Sequence, residues 1–298
     1  MTIFIPVDGS DHSLEALKVV KARAEHDGIK VPVHVFYAME PVPARVCVVE
    51  SPDELKSYYD EQAAFVEHKV DAILKDSKVN YDFSYGLGDV VDTIVRKAEE
   101  LKADIIIMGS RGQGALRGLL FGSVSNNVIA RTHVPVLILR GPMVDHHRPN
   151  LRVGIAVDGS EYGLNAAHYA LLHRHFFGAN PEFELIHVCP SLSVSVMSAL
   201  SGGAAVNYAE GELEQYREDR MHEACDPMLK LFDAVNVKPT LVGLEGSPGH
   251  AIAEYAEPAG LDVIVMGSHG YGNFKAAMLG SVAMTIAAAS DKPLLIVR

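Results

Sequence analysis

The chain has no tryptophan and only three cysteines in 298 residues. Cys47, Cys189 and Cys225 are odd in number and scattered, with no Cys-x-x-Cys pair for zinc or redox chemistry. That usage suits a reducing cytoplasm, the compartment expected here. Basic residues are also scarce: 26 Lys and Arg against 38 Asp and Glu give a formal net charge of -12. Without a basic field, binding to nucleic acid or to an anionic membrane surface is not expected. Any nucleotide has to be held by local amides against a repulsive background. Uninterrupted apolar spans of about 18 residues, the length that crosses a bilayer, are missing as well. The first residues run straight into the apolar stretch Ile3 to Val7 with no basic leader or cleavage pattern, so neither a signal peptide nor a membrane segment is expected.

Several chemical signatures are missing too. No Gly-x4-Gly-Lys-Ser/Thr occurs, and with it goes the lysine of a P-loop NTPase. No Gly-x-Ser-x-Gly elbow and no acid-base pair stand out. Gly112-Gln-Gly114 begins like a dinucleotide fingerprint, but Gly118 falls one residue late and the loop follows a fourth strand, not a first. Ser201-Gly202-Gly203 lies in a stretch rich in Ser, Ala and Gly and reads as a linker. The 14 histidines supply no zinc spacing. His168 and His175 share one helix face in the sequence pattern, and His146-His147 sits between the repeats, but neither set reaches three ligands.

What is present is a repeat. Asp104 to Ser125 reads DIIIMGSRGQGALRGLLFGSVS, and Asp262 to Ala283 reads DVIVMGSHGYGNFKAAMLGSVA. Each opens with an apolar run typical of a parallel strand buried on both faces. Each continues with Gly-x2-Gly-x9-Gly-Ser, at Gly109, Gly112, Gly122, Ser123 and at Gly267, Gly270, Gly280, Ser281. Glycines after a strand, followed by a helix starting at Gly-Ser, offer backbone N–H groups and a positive helix end to an anion. The plainer reading makes the glycines tight turns and the serines helix caps.

The repeat extends over the rest of the chain. Ile3 to Val7 and Val153 to Val157 are strands ending in Asp-Gly-Ser, at Asp8 and Asp158. Asp before Gly commonly caps the following turn, a role compatible with ligand contact. Second strands are expected at Val31 to Met39 and Phe183 to Cys189, third strands at Val79 to Tyr85 and Lys238 to Val242, and fifth strands at Val134 to Arg140 and Pro293 to Arg298. Ser51-Pro52-Asp53-Glu54 is a capping box opening a helix to about Asp76. The matching helix, 212 to 234, contains Pro227, which should kink or break it. Alternating strands and helices give an α/β fold with parallel sheets covered on both faces. The length suits two domains, 1–140 and 151–298, each able to bury a core. The polar stretch 141–150 is the linker.

These residues resemble the universal stress protein family in its tandem form, over essentially the whole chain. The carriers are Asp8, Asp158 and the two Gly-x2-Gly-x9-Gly-Ser loops. The resemblance implies two tandem doubly wound domains of the adenine nucleotide alpha-hydrolase type. Each would have a five-stranded parallel sheet of order 3-2-1-4-5. It also implies an adenine nucleotide site in each half, for ATP, AMP or ADP, with Mg2+ as a companion ion. By position, Asp8 and Asp158 would face the adenosine. The backbone of Ala38 and Val188 would line the adenine pocket, although Tyr37 stands where the family often has His, as at His187. Gly109, Gly112, Gly267 and Gly270 would pass ribose and phosphates, and Gly122-Ser123 and Gly280-Ser281 would bind phosphate. Ser125 would add a phosphate contact that Ala283 lacks, leaving the second site weaker.

The function so implied is a stress-response regulator that responds to nucleotide and acts on a regulatory protein partner. The alternatives are a slow ATP hydrolase and a scaffold that binds no nucleotide. Family members pair their fifth strands across a two-fold axis, so Val134 to Arg140 is expected to pair with Leu294 to Arg298 as a pseudo-dimer within one chain. Association of two chains stays open.

Overall fold

The computed structural model describes residues 1–27, 31–43, 51–110, 122–140, 148–189, 210–269 and 279–298. Short apolar runs make the strands, and amphipathic stretches between them make the helices. The first half runs β1 (Ile3–Val7), α1 (Asp11–Asp27), β2 (Val33–Met39), α2 (Pro52–Leu74), β3 (Tyr81–Leu87), α3 (Val90–Glu100), β4 (Ile105–Gly109), α4 (Ser123–Arg131) and β5 (Val136–Leu139). The second half repeats it with β6 (Arg152–Val157), α5 (Glu161–Leu172), β7 (Glu182–Cys189), α6 (Glu210–Ala234), β8 (Thr240–Glu245), α7 (Pro248–Ala256), β9 (Val263–Gly267), α8 (Ser281–Ala289) and β10 (Leu294–Val297).

All ten strands belong to one sheet, in the order β3-β2-β1-β4-β5-β10-β9-β6-β7-β8. Each half therefore has the order 3-2-1-4-5. The halves meet where β10 pairs antiparallel with β5, through Leu294↔Ile138, Leu295↔Leu137 and Ile296↔Val136. This is the pairing expected from the sequence, and it joins two strand edges that would otherwise stand open. The apolar layers also continue across the seam. Side chains alternate across a strand, so Ile3, Ile5 and Val7 join one apolar layer and Phe4 the other. Each layer runs through both halves: Leu17 and Phe177 share the first, Ile106 and Ile264 the second.

Two features correct the helix pattern. α6 runs unbroken through Pro227. Ala224, Cys225, Met228 and Phe232 are buried along it, and the Phe232 ring meets Phe183 of β7 edge-on at 5.3 Å. Burial on both sides of the proline offsets the lost hydrogen bond. α5 ends at Leu172, so His175 falls in a separate 3-10 turn and does not share a helix with His168. At Ser51 the capping box forms as expected, with Pro52 in the first turn. The linker stretch 141–147 and the Ser-Ala-Gly-rich stretch 190–209 lie outside the described residues.

Burial sets the chemistry of Cys225. Its thiol is pushed up to about 11 by desolvation, with Asp226 adding to the shift. A thiol raised in the folded state stays protonated there while the unfolded chain ionises. Stability is therefore full below the ordinary value of 9.0 and falls as pH climbs toward about 11. Urea midpoints measured at pH 8 and pH 10.5 should drop, with a smaller drop in Cys225→Ala; equal drops would remove the thiol from the account.

Candidate functional site

The site is made by a gap in the ladder. β1 pairs with β2 from Ile3↔Val33 to Val7↔Tyr37, and β4 pairs with β5 up to Gly109↔Leu139. Between β1 and β4 the only pairs are Ile3↔Ile105 and Phe4↔Ile106. Beyond Phe4 the two strands part, and the order of the sheet reverses at this point. Ligands of open α/β sheets bind at such switch points, outside the carboxyl ends of the strands. The second half repeats the geometry: β6 and β9 pair only through Val153↔Val263, Gly154↔Ile264 and Ile155↔Val265.

Asp8 and Asp158 follow the ends of β1 and β6, on the side where each ladder has opened. Asp8 Oδ1 accepts from the Ser10 amide at 3.0 Å and the Ser10 hydroxyl at 2.5 Å. Asp158 Oδ1 does the same with Ser160, at 2.9 and 2.5 Å. Ser10 Oγ in turn accepts from the Ser13 amide, and Ser160 Oγ from the Gly163 amide. Each aspartate thus orders the turn into α1 or α5, and Gly9 and Gly159 supply the positive φ, 75° and 80°, that this turn requires.

Ala38 and Val188 lie at the ends of β2 and β7, opposite Gly86 and Leu244. Both pack toward the layer that contains α4 and α8. Tyr37 and His187 differ as the sequence indicates. The Tyr37 hydroxyl is shifted up by burial, then by the charges of Asp8 and Tyr58. His187 Nδ1 lies 2.9 Å from the Val157 carbonyl.

At the helix starts, Gly122 and Gly280 are the N-caps, and neither helix has a side-chain cap. The serines are therefore first helical residues and not caps, against the plainer reading. The first bonds back to the caps run from Asn126 to Gly122, 3.0 Å, and from Met284 to Gly280, 3.1 Å. The amides of residues 123–125 and 281–283 precede them and have no intrahelical acceptor. Each loop is closed at its base, where Gly122 N–H donates to Ser110 O at 2.5 Å and Gly280 N–H to Ser268 O at 3.1 Å. Gly112 and Gly270 lie outside the described residues.

Two of these positions also carry contacts within the fold. Ser125 is buried and its hydroxyl donates to the Gly109 carbonyl at 3.0 Å. That bond ties α4 to the end of β4. Ala283 fills the same position, fully buried, without that tie. Gly267 is required by packing: a Cβ there would stand 2.6 Å from Tyr162 Cβ and 2.8 Å from its carbonyl carbon and oxygen. Sequence reasoning passed over Tyr162, His269 and Arg298 at this rim. Tyr162 and His269 place their rings 5.5 Å apart, and Ser268 Oγ lies 3.0 Å from His269 Nδ1.

The universal stress protein family model matches residues 1–140 and again 150–298. The chain belongs to the universal stress protein family. A Thermus aquaticus universal stress protein is 35% identical over 139 residues, 47% of this chain and 98% of its own length. A Mycolicibacterium smegmatis universal stress protein is 24% identical over 312 residues, covering 99% of this chain and 96% of that one. The crystal structure of an Archaeoglobus fulgidus universal stress protein superposes with TM-score 0.70 at 22% identity, over 100% of this chain and 98% of the other, and shows the same fold. Among the described residues of this universal stress protein, no helix is long and apolar enough to cross a membrane.

Proposed function

We propose that each half binds one adenine nucleotide, ATP, AMP or ADP, and that occupancy serves as a regulatory signal read by a protein partner. The observation that carries this reading is the duplicated gap at the switch point, with three amides lacking intrahelical acceptors at the start of the helix behind it. Adenine would lie against the backbone of Ala38 or Val188. Asp8 or Asp158 would meet the ribose from the lip, while the phosphates would reach Ser123 or Ser281 and the amides beside them. Gly109, Gly112, Gly267 and Gly270 would let the loop backbone come close. Mg2+ would arrive with ATP. The binding units are 1–140 and 151–298, joined by 141–150. The free buried thiols Cys189 and Cys225 suit a cytoplasmic protein.

The first site should be the tighter, because Ser125 holds its loop to its helix and Ala283 cannot. Calorimetric titration of the nucleotide-stripped chain with ATP and Mg2+ should show two unequal binding events. Gly122→Val, which puts a branched side chain beside the first-site amides, should weaken the tighter event about tenfold, roughly 1.4 kcal/mol. No heat, together with no retention in equilibrium dialysis, would leave a scaffold that binds no nucleotide.

A further inference from the structure

The antiparallel seam has a geometric consequence for the two crevices. Because β5 and β10 run in opposite directions, the carboxyl ends of the parallel strands in one half lie at the opposite end of the sheet from those in the other. α4 starts at the first crevice and runs back along the sheet for 9 residues, about 13 Å. Its last turn therefore lies at the end of the sheet where the second crevice opens.

Arg298 bridges that distance. It follows Val297, which pairs with Gly267 and whose carbonyl accepts from the Ser268 amide at 2.7 Å. Its backbone is thus fixed to the rim of the second crevice. Its side chain crosses the seam, where Nη2 donates to the Ala130 carbonyl, in the last turn of α4, at 2.9 Å. Arg298 Nε is buried with no hydrogen-bond partner, and no carboxylate forms an ion pair with Arg298 among the described residues. Burial pulls this guanidinium below its usual range, and Tyr162 opposes the shift. The cation is held by the negative end of the α4 dipole on one side and by the second-site rim on the other.

We propose that Arg298 is a positioning residue for the first site, supplied by the second half, and that it couples the two sites. This rests on the nucleotide reading above. A ligand that shifts Gly267–Ser268 moves the Arg298 backbone, and the bond to Ala130 carries that shift to α4. The α4 amides would then present themselves differently to phosphate at the other end.

The test uses the full chain, stripped of nucleotide and titrated calorimetrically with ATP and Mg2+. Arg298→Met removes the donor and the charge at similar length, and Arg298→Lys restores one cationic donor. In Arg298→Met the binding event that Gly122→Val weakens should lose about fivefold in affinity, and Arg298→Lys should recover much of it. A purely structural arginine would change the second site or the melting temperature and leave first-site affinity alone, which would overturn the proposal. If Arg298→Met does not fold, hydrogen exchange decides. In Gly122→Val, at nucleotide concentrations that fill only the second site, exchange at residues 128–131 should change; unchanged exchange overturns the coupling. Two normal binding events with no effect of Arg298 defeat this inference alone, whereas no binding event in the wild type defeats the nucleotide reading beneath it.

Discussion

A valine at Gly267 will lower stability by about 3 kcal/mol, the upper part of the range for overpacking a well-filled site. The atoms in the way are not the ends of flexible side chains. They are Tyr162 Cβ at 2.6 Å and the Tyr162 carbonyl carbon and oxygen at 2.8 Å, in the first turn of α5. α5 cannot back away cheaply, because Ala166, Ala167 and Ala170 are fully buried along it. Its start is also fixed by the Asp158–Ser160–Gly163 relay. Urea denaturation of Gly267→Val against wild type measures the loss. A change below about 1 kcal/mol would mean that the rim swings aside, and that this glycine is kept for ligand approach alone.

The second large effect is expected at Asp262, which is 2% exposed and stands just before β9. Its Oδ2 accepts from the Arg152 amide at 2.8 Å and stands 3.5 Å from Arg148 Nη1. It fastens β9 to the start of β6 at the closed end of the ladder, opposite the gap. Asp104 repeats the arrangement in the first half, accepting from the Thr2 amide. Asp262→Ala leaves a buried amide without its acceptor and should cost about 3 kcal/mol, since hydrogen bonds to charged groups are worth about 1.5–3 kcal/mol. Asp262→Asn keeps an oxygen in place and should cost about 1 kcal/mol. Equal losses for the two variants in chemical denaturation would show that the charge, not the acceptor, matters there.

Much of the fold was legible because its signals are local and doubled. The apolar runs at Ile105 and Val263, the Asp-Gly-Ser turns and the capping box at Ser51 are each decided within a few residues. The second copy then confirmed the spacing of the first. The seam between β5 and β10 was legible through family resemblance and through the need to cover two edges. What escaped depends on contacts distant in sequence. Pro227 reads as a helix breaker until the burial of Cys225 and Phe232 is known. The bond from the Ser125 hydroxyl to the Gly109 carbonyl spans 16 residues and has no local signal. Gly267 carries the same letter whether it admits a phosphate or the backbone of Tyr162. Arg298 had one available signal, its match to Arg140 at the end of the other fifth strand, but nothing in the sequence says that its side chain crosses to α4.

The covalent joining of β5 to β10 within one chain also changes what dilution and mutation can do. A seam between separate subunits dissociates as concentration falls, whereas a tethered one forms at an effective concentration set by the connecting chain and does not depend on how much protein is present. In a symmetric pair of identical chains, every substitution appears twice and both crevices change together. Here each half mutates alone. Ser125 and Ala283, or Tyr37 and His187, can diverge while the seam that holds them stays the same. One molecule can therefore carry two unequal crevices at a fixed one-to-one ratio.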